Sequence, residues 1–533
     1  MKSTRLMTFA FWLGLVACST QAPHDTRGVF RNPVLPGDYP DPSVIRVGKE
    51  YWATATTSEW APLFPLLRSR DLVNWEMTGS VFQKRPAWSV GNYWAPEISE
   101  YKGRYYVYYV GRLKDGPLSI AVATATHPSG PYKDHGVLIG QPAGSIDPVT
   151  VVDQNDERYL LWKEDGNSRK QPTPIWAQRL SEDGTKLLGE MKELFRNDAP
   201  WEGNLVEGPF VKRKGDWFHI FYSGNACCGR QCNYALGVAR SRSLFGPWEK
   251  NPANPILTQN EHWKCPGHGS IVSDPKGRDF FLYHAYHPQT FVYVGRQGLL
   301  DEIHWDDKGW PVINQGQGPS AEAAAPFAGR GGSASGEFYD AFSTAKIRPG
   351  WQWPQSNEPR VHPDPAQGMI TLAPNGQHSN DYAAAILAVQ TTTADYTAVA
   401  CLDTRSLSSD TAAGLSAFGD GENALGASVR AGKILTWRKQ KNQTRVLATN
   451  DLPRSATLQI RFTATGGHRF RFAASPDGRN WTDLGEDLDL EGDYLPPWDR
   501  GVRVALTVGG TANASARFDW VRITPRSTGI APR

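Results

Sequence analysis

The chain has 533 residues, 40% of them hydrophobic and 21% charged, which is the composition of a globular protein with two or more domains. A net charge of +3 on so long a chain argues against nucleic acid as a partner. Aromatic residues make up 11% of the chain and include 20 Trp, and such side chains suit both sheet cores and surfaces on which sugar rings stack.

The N-terminus has the pattern of a secretory signal. A basic start, MKSTR, precedes the apolar run LMTFAFWLGLVA, which is too short to span a bilayer as a mature helix. The ending Leu-Val-Ala-Cys18 resembles a bacterial lipobox, in which the cysteine is lipidated, and Ser19 favours retention in the outer membrane. We therefore expect a lipoprotein signal peptide over residues 1–18, a flexible tether over 19–29 and an exported lipoprotein facing the periplasm or the cell surface. The alternative is an ordinary cleaved signal with an incidental cysteine.

One phrase recurs five times between residues 30 and 318: an acidic residue or a histidine, a turn-prone neighbour, a hydrophobic run, a Gly or Asp turn and an aromatic strand. Its first residues are spaced by 97 − 41 = 56, 147 − 97 = 50, 207 − 147 = 60 and 268 − 207 = 61 positions, and they are Asp41, Glu97, Asp147, Glu207 and His268. A repeat of about 40 to 60 residues built from short strands is typical of a β-propeller blade. The spacing predicts a five-bladed β-propeller over residues 30–318.

Equivalent positions of a propeller converge on its axis, because the innermost strand of every blade lines the central cavity. We expect the five first residues to surround that cavity. The alternative is that these residues cap turns at strand starts, since Asp-Pro and Glu-Gly are common turn dipeptides. Their recurrence in register favours the ring.

The cysteines agree with export. Besides Cys18 and Cys401, four cysteines lie in the fourth repeat and the lead-in to the fifth: Cys227, Cys228, Cys232 and Cys265. We predict one or two disulfides among them in an oxidising compartment, with the pairing open. A zinc site is the alternative, but vicinal cysteines do not match the C-x₂-C pairs of structural zinc sites.

The composition changes after residue 318. Gly, Ala and Ser dominate there, which predicts a linker over residues 319–335. Alternating strands such as TLQIRFTAT and ARFDWVRITP, broken by Gly, Asn and Asp turns, then predict a β-sandwich of jelly-roll or lectin type over residues 336–526. Since no stretch reads as a long amphipathic helix, the predicted fold class is all-β, a propeller followed by a sandwich.

The polar residues of the predicted cavity suggest acid–base chemistry. The repeats contain no evident nucleophilic Ser or Cys, phosphate loop or redox motif. Cleavage of a glycosidic bond needs one carboxylic acid to protonate the leaving oxygen and one carboxylate to activate water or attack carbon. A third carboxylate raises the pKa of the acid by like-charge repulsion.

The repeat region resembles glycoside hydrolase family 43 in motifs that occur in order at blade spacing: NPVLPGDYPDPSVIR, GNYWAPEIS, SIDPVTV, NLVEGPFVKRKGDWFHIFYSG, CPGHGSIV, YHAY and GRQGLLDEIHW. The resemblance covers roughly residues 30–318. It implies a five-bladed propeller that releases arabinose, xylose or related sugars. The C-terminal region resembles the concanavalin-like module that follows the propeller in part of the family.

The resemblance implies a role for each of three acids. Asp41, in Pro-Asp-Pro-Ser, matches the general base, and Glu207, in Val-Glu-Gly-Pro, matches the general acid. Asp147, in Ile-Asp-Pro-Val, matches the carboxylate that tunes the pKa of the acid and orients the sugar. Such enzymes invert the anomeric configuration, which requires about 6.5–9.5 Å between the carboxyl groups of base and acid.

The resemblance also implies residues that bind substrate. Trp94, in Trp-Ala-Pro, is expected to form a floor for the sugar, with core packing as the alternative. Trp60 lies in the loop of the first blade that lines the pocket, although ordinary packing is an equal alternative. Arg296 matches the arginine that reaches the sugar hydroxyls or the acids, and otherwise pairs with surface acids. Glu97 is interpreted as a rim or hydrogen-bonding residue.

His268 is expected on the axis under the acids. The resemblance implies contact with substrate, a water or a metal ion there, commonly calcium. Ca²⁺ prefers oxygen ligands, so a structural histidine is the alternative to a metal ligand. No cofactor is required for the implied reaction.

These observations predict an inverting glycosidase that releases α-L-arabinofuranosyl or β-D-xylosyl residues from plant polysaccharides or oligosaccharides such as arabinoxylan. A galactan- or arabinan-degrading relative is the alternative within the family. A non-catalytic, glycan-binding surface lipoprotein is the alternative from another class, but a binder has no need for Asp41 and Glu207 together. The sequence leaves the oligomeric state open.

Overall fold

The computed structural model describes residues 28–327, 336–376, 381–485, 489–511 and 513–526. The predicted signal peptide with Cys18, nearly all of the predicted tether and half of the predicted linker lie outside these residues. Within them, strands dominate both halves of the chain, and the predicted all-β class, a propeller followed by a sandwich, is confirmed.

Five four-stranded antiparallel sheets form the blades of the propeller, and within each sheet the strands pair in chain order. Blades 1 and 2 comprise Ser43–Val47, Glu50–Thr54, Leu63–Ser69 and Trp75–Phe82, then Trp94–Tyr101, Arg104–Arg112, Leu118–Ala125 and Lys133–Ile139. Blade 3 comprises Ser145–Val152, Arg158–Glu164, Ile175–Leu180 and Leu187–Phe195. Blades 4 and 5 comprise Val206–Lys214, Trp217–Gly224, Ala235–Ser241 and Glu249–Lys250, then Lys264–Ser273, Asp279–Tyr286, Gln297–Trp305 and Pro311–Ile313.

The aromatic runs of the repeat are the second strands of the blades. In Arg104–Arg112 every side chain from Tyr106 to Val110 is buried, because neighbouring blades cover both faces of the strand. Such a strand reads as a continuous apolar run rather than an alternation. Each fully buried side chain of this size contributes about 1.5–3 kcal/mol, so the aromatic runs supply much of the packing between blades.

The two ends of the repeat region pair with each other. Val29–Arg31 forms an antiparallel ladder with Glu322–Ala324, and Phe30 and Ala325 are buried in one apolar cluster. The structure therefore corrects two predicted boundaries: the end of the tether and the start of the linker are strands. This pairing does not follow from local composition, because it joins two segments that are far apart in the chain. Each segment satisfies backbone hydrogen-bonding groups of the other.

Two packed sheets form the C-terminal unit. The first sheet contains Arg360–Asp364, Met369–Ala373, Ala516–Pro525, Tyr396–Asp403, Thr457–Thr465, Arg469–Ser475 and Thr482–Asp483, with Phe338–Asp340 and Leu490–Glu491 at its margins. The second contains Ala385–Gln390, Arg503–Gly509, Ala412–Phe418, Ala424–Arg430, Lys433–Gln440 and Gln443–Asp451. Alternation along the strands buries one face of each sheet, as in Thr457–Thr465, which is the pattern of a sandwich.

The sandwich packs directly on the propeller. Trp60–Ala61, from blade 1, pairs with Trp353–Pro354. Arg503 Nη2 donates to Asp38 Oδ2 at 3.2 Å, and both side chains are buried. Breaking such a buried pair by removing one partner costs about 3–5 kcal/mol, so the pair fixes how the two units meet.

Helical structure is sparse in the described residues. It consists of one short α-helix and four 3₁₀ turns: Phe291–Val294, Gly166–Arg169, Pro200–Glu202, Asn314–Gly316 and Thr404–Ser406. In this part of the chain no helix has the length and apolar character needed to cross a membrane.

Candidate active site

Near its start, the first strand of blades 2 to 5 contains a backbone bulge with one residue in the left-handed conformation, and in blade 1 the equivalent residue lies just before the strand. These residues have positive φ angles, which are 52°, 41°, 57°, 57° and 37° for Asp41, Ala95, Asp147, Gly208 and His268. In blades 2 to 5 the bulge interrupts the pairing register of the first and second strands. A non-glycine residue in this conformation costs about 1–2 kcal/mol, and such strain persists where the surrounding contacts hold the backbone.

The bulge corrects the predicted ring of five residues. Ala95 and Gly208 occupy the bulge positions of blades 2 and 4, so Glu97 follows the bulge by two residues and Glu207 precedes it by one. Glu97 does not line the cavity that contains the other acids. Its Oε1 accepts a hydrogen bond from Thr150 Oγ1 at 3.1 Å, and burial raises its pKa. The interpretation of Glu97 as a hydrogen-bonding residue agrees with this position, whereas its place in the ring was wrong.

Asp41 is held as a carboxylate. Arg296 Nη1 donates to its Oδ1 at 3.0 Å, and Thr56 Oγ1 donates to its Oδ2 at 2.7 Å. His268 Nδ1 lies 3.4 Å from the same Oδ1. Burial alone would raise the pKa of Asp41, but the charges of Arg296 and His268 hold that pKa well below its usual range. Asp41 is therefore ionised at neutral and mildly acidic pH.

His284 supports Asp41 from below without forming an ion pair. Burial lowers the pKa of His284 to about 4, so the ring is neutral near pH 7. Its Nδ1 accepts a hydrogen bond from the backbone N–H of Asp41 at 3.1 Å, and its ring stacks on Tyr234 with centroids 5.8 Å apart. This contact fixes the strained backbone of Asp41.

Two side chains donate hydrogen bonds to the carboxyl group of Glu207. Lys163 Nζ donates to Oε2 at 2.7 Å, and the hydroxyl of Tyr234 donates to Oε1 at 2.9 Å. Lys163 is itself buried and also donates to Asp165 Oδ1 at 2.9 Å. Burial would raise the pKa of Glu207, but the charge and hydrogen bond of Lys163 and the bond from Tyr234 lower it.

Asp147 is the third carboxyl group of the site. Its pKa is raised, whereas the pKa values of Asp41 and Glu207 are lowered. Burial and the negative charge of Glu207 raise the pKa of Asp147 to about 6, although His268 and Lys163 oppose the shift. Its Oδ2 accepts the backbone N–H of Gly208 at 2.8 Å. The sequence predicted a proton on Glu207. In the free protein the pKa of Asp147 is raised and that of Glu207 is lowered, so Asp147 is the more readily protonated of the two, because Lys163 and Tyr234 stabilise the Glu207 anion.

One cavity of about 360 Å³ brings most of the predicted site residues together. It is lined by the three acids Asp41, Asp147 and Glu207 with Trp94, His268 and Arg296. A volume of this size lies within the range of small-ligand sites. The carboxylate of Asp41 beside Arg296 and the carboxyl groups of Asp147 and Glu207 thus face the same space.

The sandwich contributes a wall of this cavity that the sequence analysis missed. Trp498 and Asp499 line it. The rings of Trp94 and Trp498 meet edge to face with centroids 6.0 Å apart, and Trp498 is 59% exposed. The backbone oxygen of Asp499 accepts from Arg296 Nη2 at 3.4 Å, and its Oδ2 accepts from Ser58 Oγ at 2.7 Å. The loop of the second unit is therefore anchored to the propeller beside the acids.

Trp60 does not line this cavity, and its predicted role there was wrong. It is 2% exposed and meets Phe418 of the sandwich edge to face, with centroids 5.8 Å apart. The guanidinium of Arg503 lies 5.2 Å from its ring centroid. Trp60 therefore packs between the two units, because its short strand pairs with the sandwich rather than facing the axis.

The histidine at the axis faces Asp41 rather than a cluster of oxygen ligands. Among the described residues no group of three or more His, Cys, Asp and Glu side chains is arranged to hold a metal ion. The described residues around His268 thus include no such group, and the predicted calcium ion stays a prediction. The acid and base roles of Asp41, Asp147 and Glu207 do not involve a metal ion.

Four cysteines form two disulfides. Cys227 pairs with its neighbour Cys228, and Cys232 pairs with Cys265. Cys401 is free and buried in the sandwich. The expected disulfides are thus present, and the alternative of a zinc site is wrong because all four thiols are oxidised.

Lys163 and Tyr234 are the propeller residues of the site that sequence reasoning missed. Lys163 was visible in LLWKEDG as a lone cation at the end of an apolar strand. Tyr234 carries no local signal, because it reaches Glu207 only through the fold. Trp498 stands in the polar loop sequence PPWDR, where a large exposed aromatic side chain indicates a binding surface.

The fold is a five-bladed propeller with an attached sandwich, and three carboxyl groups line one cavity of it. Together these features indicate the family to which the chain belongs. The model of the glycosyl hydrolases family 43 matches residues 30–311. The chain belongs to glycoside hydrolase family 43. A second model, the beta xylosidase C-terminal concanavalin A-like domain, matches residues 339–524, which confirms the predicted C-terminal module.

Two curated proteins with similar sequences are named xylosidase/arabinosidase. "Xylosidase/arabinosidase 43B" of Humicola insolens is 31% identical over 54% of this chain and 56% of that protein. "Xylosidase/arabinosidase" of Butyrivibrio fibrisolvens is 29% identical over 54% of this chain and 57% of that protein. The chain thus spans little more than half the length of these curated relatives. The crystal structure of the GH43 BlXynB protein from Bacillus licheniformis has a TM-score of 0.77 at 25% identity, covering 94% of this chain and all of that one.

Proposed function

We propose that this protein is an inverting glycosidase that removes a terminal pentose, α-L-arabinofuranosyl or β-D-xylosyl, from plant polysaccharides or oligosaccharides such as arabinoxylan. One observation carries the proposal: a single cavity contains Asp41, held as a carboxylate by Arg296, together with the carboxyl groups of Asp147 and Glu207. A base and an acid in one sugar-sized pocket are the two groups that inversion requires.

Each acid has one role in this reaction. Asp41, kept ionised by Arg296, accepts a proton from the water that attacks the anomeric carbon. Glu207 protonates the departing oxygen on the opposite face of the sugar. A bound sugar displaces solvent from the cavity, which raises the pKa of Glu207 by desolvation, so that Glu207 is protonated when the leaving oxygen departs.

The loop of the sandwich supports exo action. Trp498 and Asp499 stand beside the acids, and Arg296 bonds to both Asp41 and the backbone of Asp499. A wall at this place favours a pocket that accepts the end of a chain over a groove that a chain passes through. The choice of a pentose rests on the names of the two curated relatives.

Hydrolysis of defined substrates tests the proposal. The protein is assayed on aryl α-L-arabinofuranoside, aryl β-D-xyloside and aryl galactosides, each with an oligosaccharide counterpart. We expect release of a single pentose from one or both pentosides. Binding without hydrolysis across the whole panel would contradict the proposed glycosidase activity and favour a glycan-binding protein.

The role of Glu207 has its own test. Glu207→Gln removes acid assistance, which contributes about 10²–10⁴-fold, so oligosaccharide cleavage should fall far more than cleavage of an activated aryl glycoside. Asp41→Asn, the matched variant of the base, should abolish both. Equal losses on the two substrates in Glu207→Gln would refute its assignment.

We further propose that the protein is exported and anchored in the outer membrane through a lipid on Cys18. The lipobox-like ending and the two disulfides support this location, since disulfides persist in oxidising compartments. Labelling cells with a radioactive fatty acid should mark the protein, and Cys18→Ala should remove the label. A labelled Cys18→Ala protein would refute the anchor.

A further inference from the structure

The loop that joins the second and third strands of blade 4 carries the vicinal disulfide. Cys227 and Cys228 follow Trp217–Gly224 by three and four residues and are both half-buried. They line the same cavity as the three acids, together with Ala226. The disulfide has no role in the proton transfers described above.

The loop lies beside the general acid. In the ladder of blade 4, Ser223 is the partner of Glu207, so the loop begins two residues beyond the acid's partner. Tyr234, at the end of the same loop, donates to Glu207 Oε1 at 2.9 Å. The oxygen that Glu207 protonates belongs to the leaving group, so the loop borders the leaving group rather than the pentose that is released.

Several contacts hold the loop in place. Cys232 is tied to Cys265, and the backbone N–H of Gly229 donates to the hydroxyl of Tyr286 at 3.2 Å. Arg230 Nη2 donates to the backbone oxygen of Asp493 in the sandwich at 2.9 Å. The vicinal disulfide therefore sits on a fixed support between the propeller and the sandwich, which limits the entropy lost when a ligand binds.

The disulfide offers a surface of a particular kind. Two bonded sulfur atoms carry no hydrogen to donate, and sulfur is soft and polarizable. Such a surface suits the C–H face of a sugar ring better than it suits hydroxyl groups, which need polar partners. Trp94 and Trp498 provide aromatic faces in the same cavity, and the sulfur pair adds an apolar surface from the loop that follows the strand of Ser223, the ladder partner of Glu207.

We propose that the Cys227–Cys228 disulfide is the platform on which the sugar ring of the leaving group rests. The proposal rests on the proposed glycosidase activity and names the part of the substrate that this residue pair recognises. It makes the disulfide a determinant of specificity for substrates whose pentose is attached to a sugar ring.

The test compares three substrates with the same released pentose. A disaccharide presents an intact ring as leaving group, and its borohydride-reduced alditol presents the same carbon chain in open form, with the former ring oxygen as an additional hydroxyl. The pentosyl fluoride has no leaving-group ring and needs no acid assistance. In the unmodified protein we expect kcat/KM for the disaccharide to exceed that for the alditol about tenfold, the scale of a small apolar contact.

The variant Cys227→Ser/Cys228→Ser should lose this preference and leave hydrolysis of the fluoride unchanged. The matched variant Cys232→Ser/Cys265→Ser also lacks one disulfide but keeps the vicinal pair. Because it loses one tether of the loop, kcat/KM for disaccharide and alditol should fall by the same factor, so that the preference is retained. Circular dichroism and thermal melting establish that both variants are folded.

Three results would overturn the proposal. Equal kcat/KM for disaccharide and alditol in the unmodified protein would do so without any variant. A preference that persists in Cys227→Ser/Cys228→Ser, or one that is lost equally in Cys232→Ser/Cys265→Ser, would assign it to another surface or to loop order. Hydrolysis of none of the three substrates would instead refute the proposed function, and the platform with it.

Discussion

Asp147, Glu207 and Lys163 form one electrostatic unit at the axis. Lys163 Nζ lies 2.7 Å from Glu207, and the charge of Glu207 helps to raise the pKa of Asp147 to about 6. Because that pKa is raised, the unit holds a proton below about pH 6 and loses it as the pH rises through that value. Above it, no proton is available for the leaving oxygen, so kcat/KM for an oligosaccharide should fall.

Lys163→Met tests the unit. Without the cation the pKa values of both carboxyl groups rise, because an opposite charge at this distance lowers a pKa by about 1–3 units. The alkaline limb of the kcat/KM profile should therefore move to higher pH by about one unit or more. The profile is measured on an oligosaccharide, whose cleavage depends on the acid.

Lys250→Met is the matched control for Lys163→Met. Lys250 also pairs with a buried carboxylate, Glu202, at 2.7 Å, but neither residue lines the cavity of the acids. The alkaline limb of this variant should stay where it is in the unmodified protein. A limb that fails to move in Lys163→Met would contradict the coupling.

The left-handed residue at the start of each first strand is the feature that builds the site. Gly208 shows what the bulge requires in blade 4, because it has φ 57° and a Cβ there would lie 2.8 Å from the ring of His268. Its N–H also binds Asp147. Any side chain at this position would therefore displace the ring of His268, whose Nδ1 lies 3.4 Å from Asp41.

Gly208→Ala should therefore damage activity more than stability. The left-handed conformation costs alanine about 1–2 kcal/mol, and the clash with His268 adds to this. Gly215→Ala is the matched control, since Gly215 also has φ 57° but a Cβ added there would meet no atom within 4 Å. We expect both variants to melt a few degrees lower, and only Gly208→Ala to lose tenfold or more in kcat/KM. Equal activities of the two variants would contradict the packing at the axis.

The sequence predicted the blades better than it predicted the bulges. Aromatic second strands such as Arg104–Arg112 stand out because both of their faces are buried. The residue that reaches the axis depends on backbone angles, so Glu97 was placed where Ala95 lies. Lys163 and Tyr234 come from strands or loops whose contact with Glu207 forms only when the blade is folded.

At the scale of the whole molecule, the sandwich completes the cavity. Trp498 is its exposed aromatic contribution, and the bond of Arg296 to Asp499 ties the loop to the base. Contacts between units do not follow from local pattern, because they join residues far apart in the chain. This is why Trp60 was predicted in the cavity, whereas it lies between the units, and why Trp498 was missed.

Trp498→Ala tests the contribution of the sandwich. Loss of an aromatic wall should raise KM for the oligosaccharide about tenfold, the scale of one apolar contact, and leave the shape of the pH profile unchanged. Tyr339→Ala is the control, because Tyr339 is also an exposed aromatic residue of the sandwich but does not line the cavity. An unchanged KM in Trp498→Ala would contradict the contribution of the sandwich to substrate binding.

The configuration of the first sugar released tests the central claim most directly. Proton NMR follows hydrolysis of an aryl pentoside by the unmodified protein before the product mutarotates. Inversion through Asp41 and Glu207 predicts that the anomer opposite to the substrate appears first, since water attacks the face opposite to the leaving group. First appearance of the retained anomer would require a covalent intermediate and would contradict the assignment of Asp41 as the base.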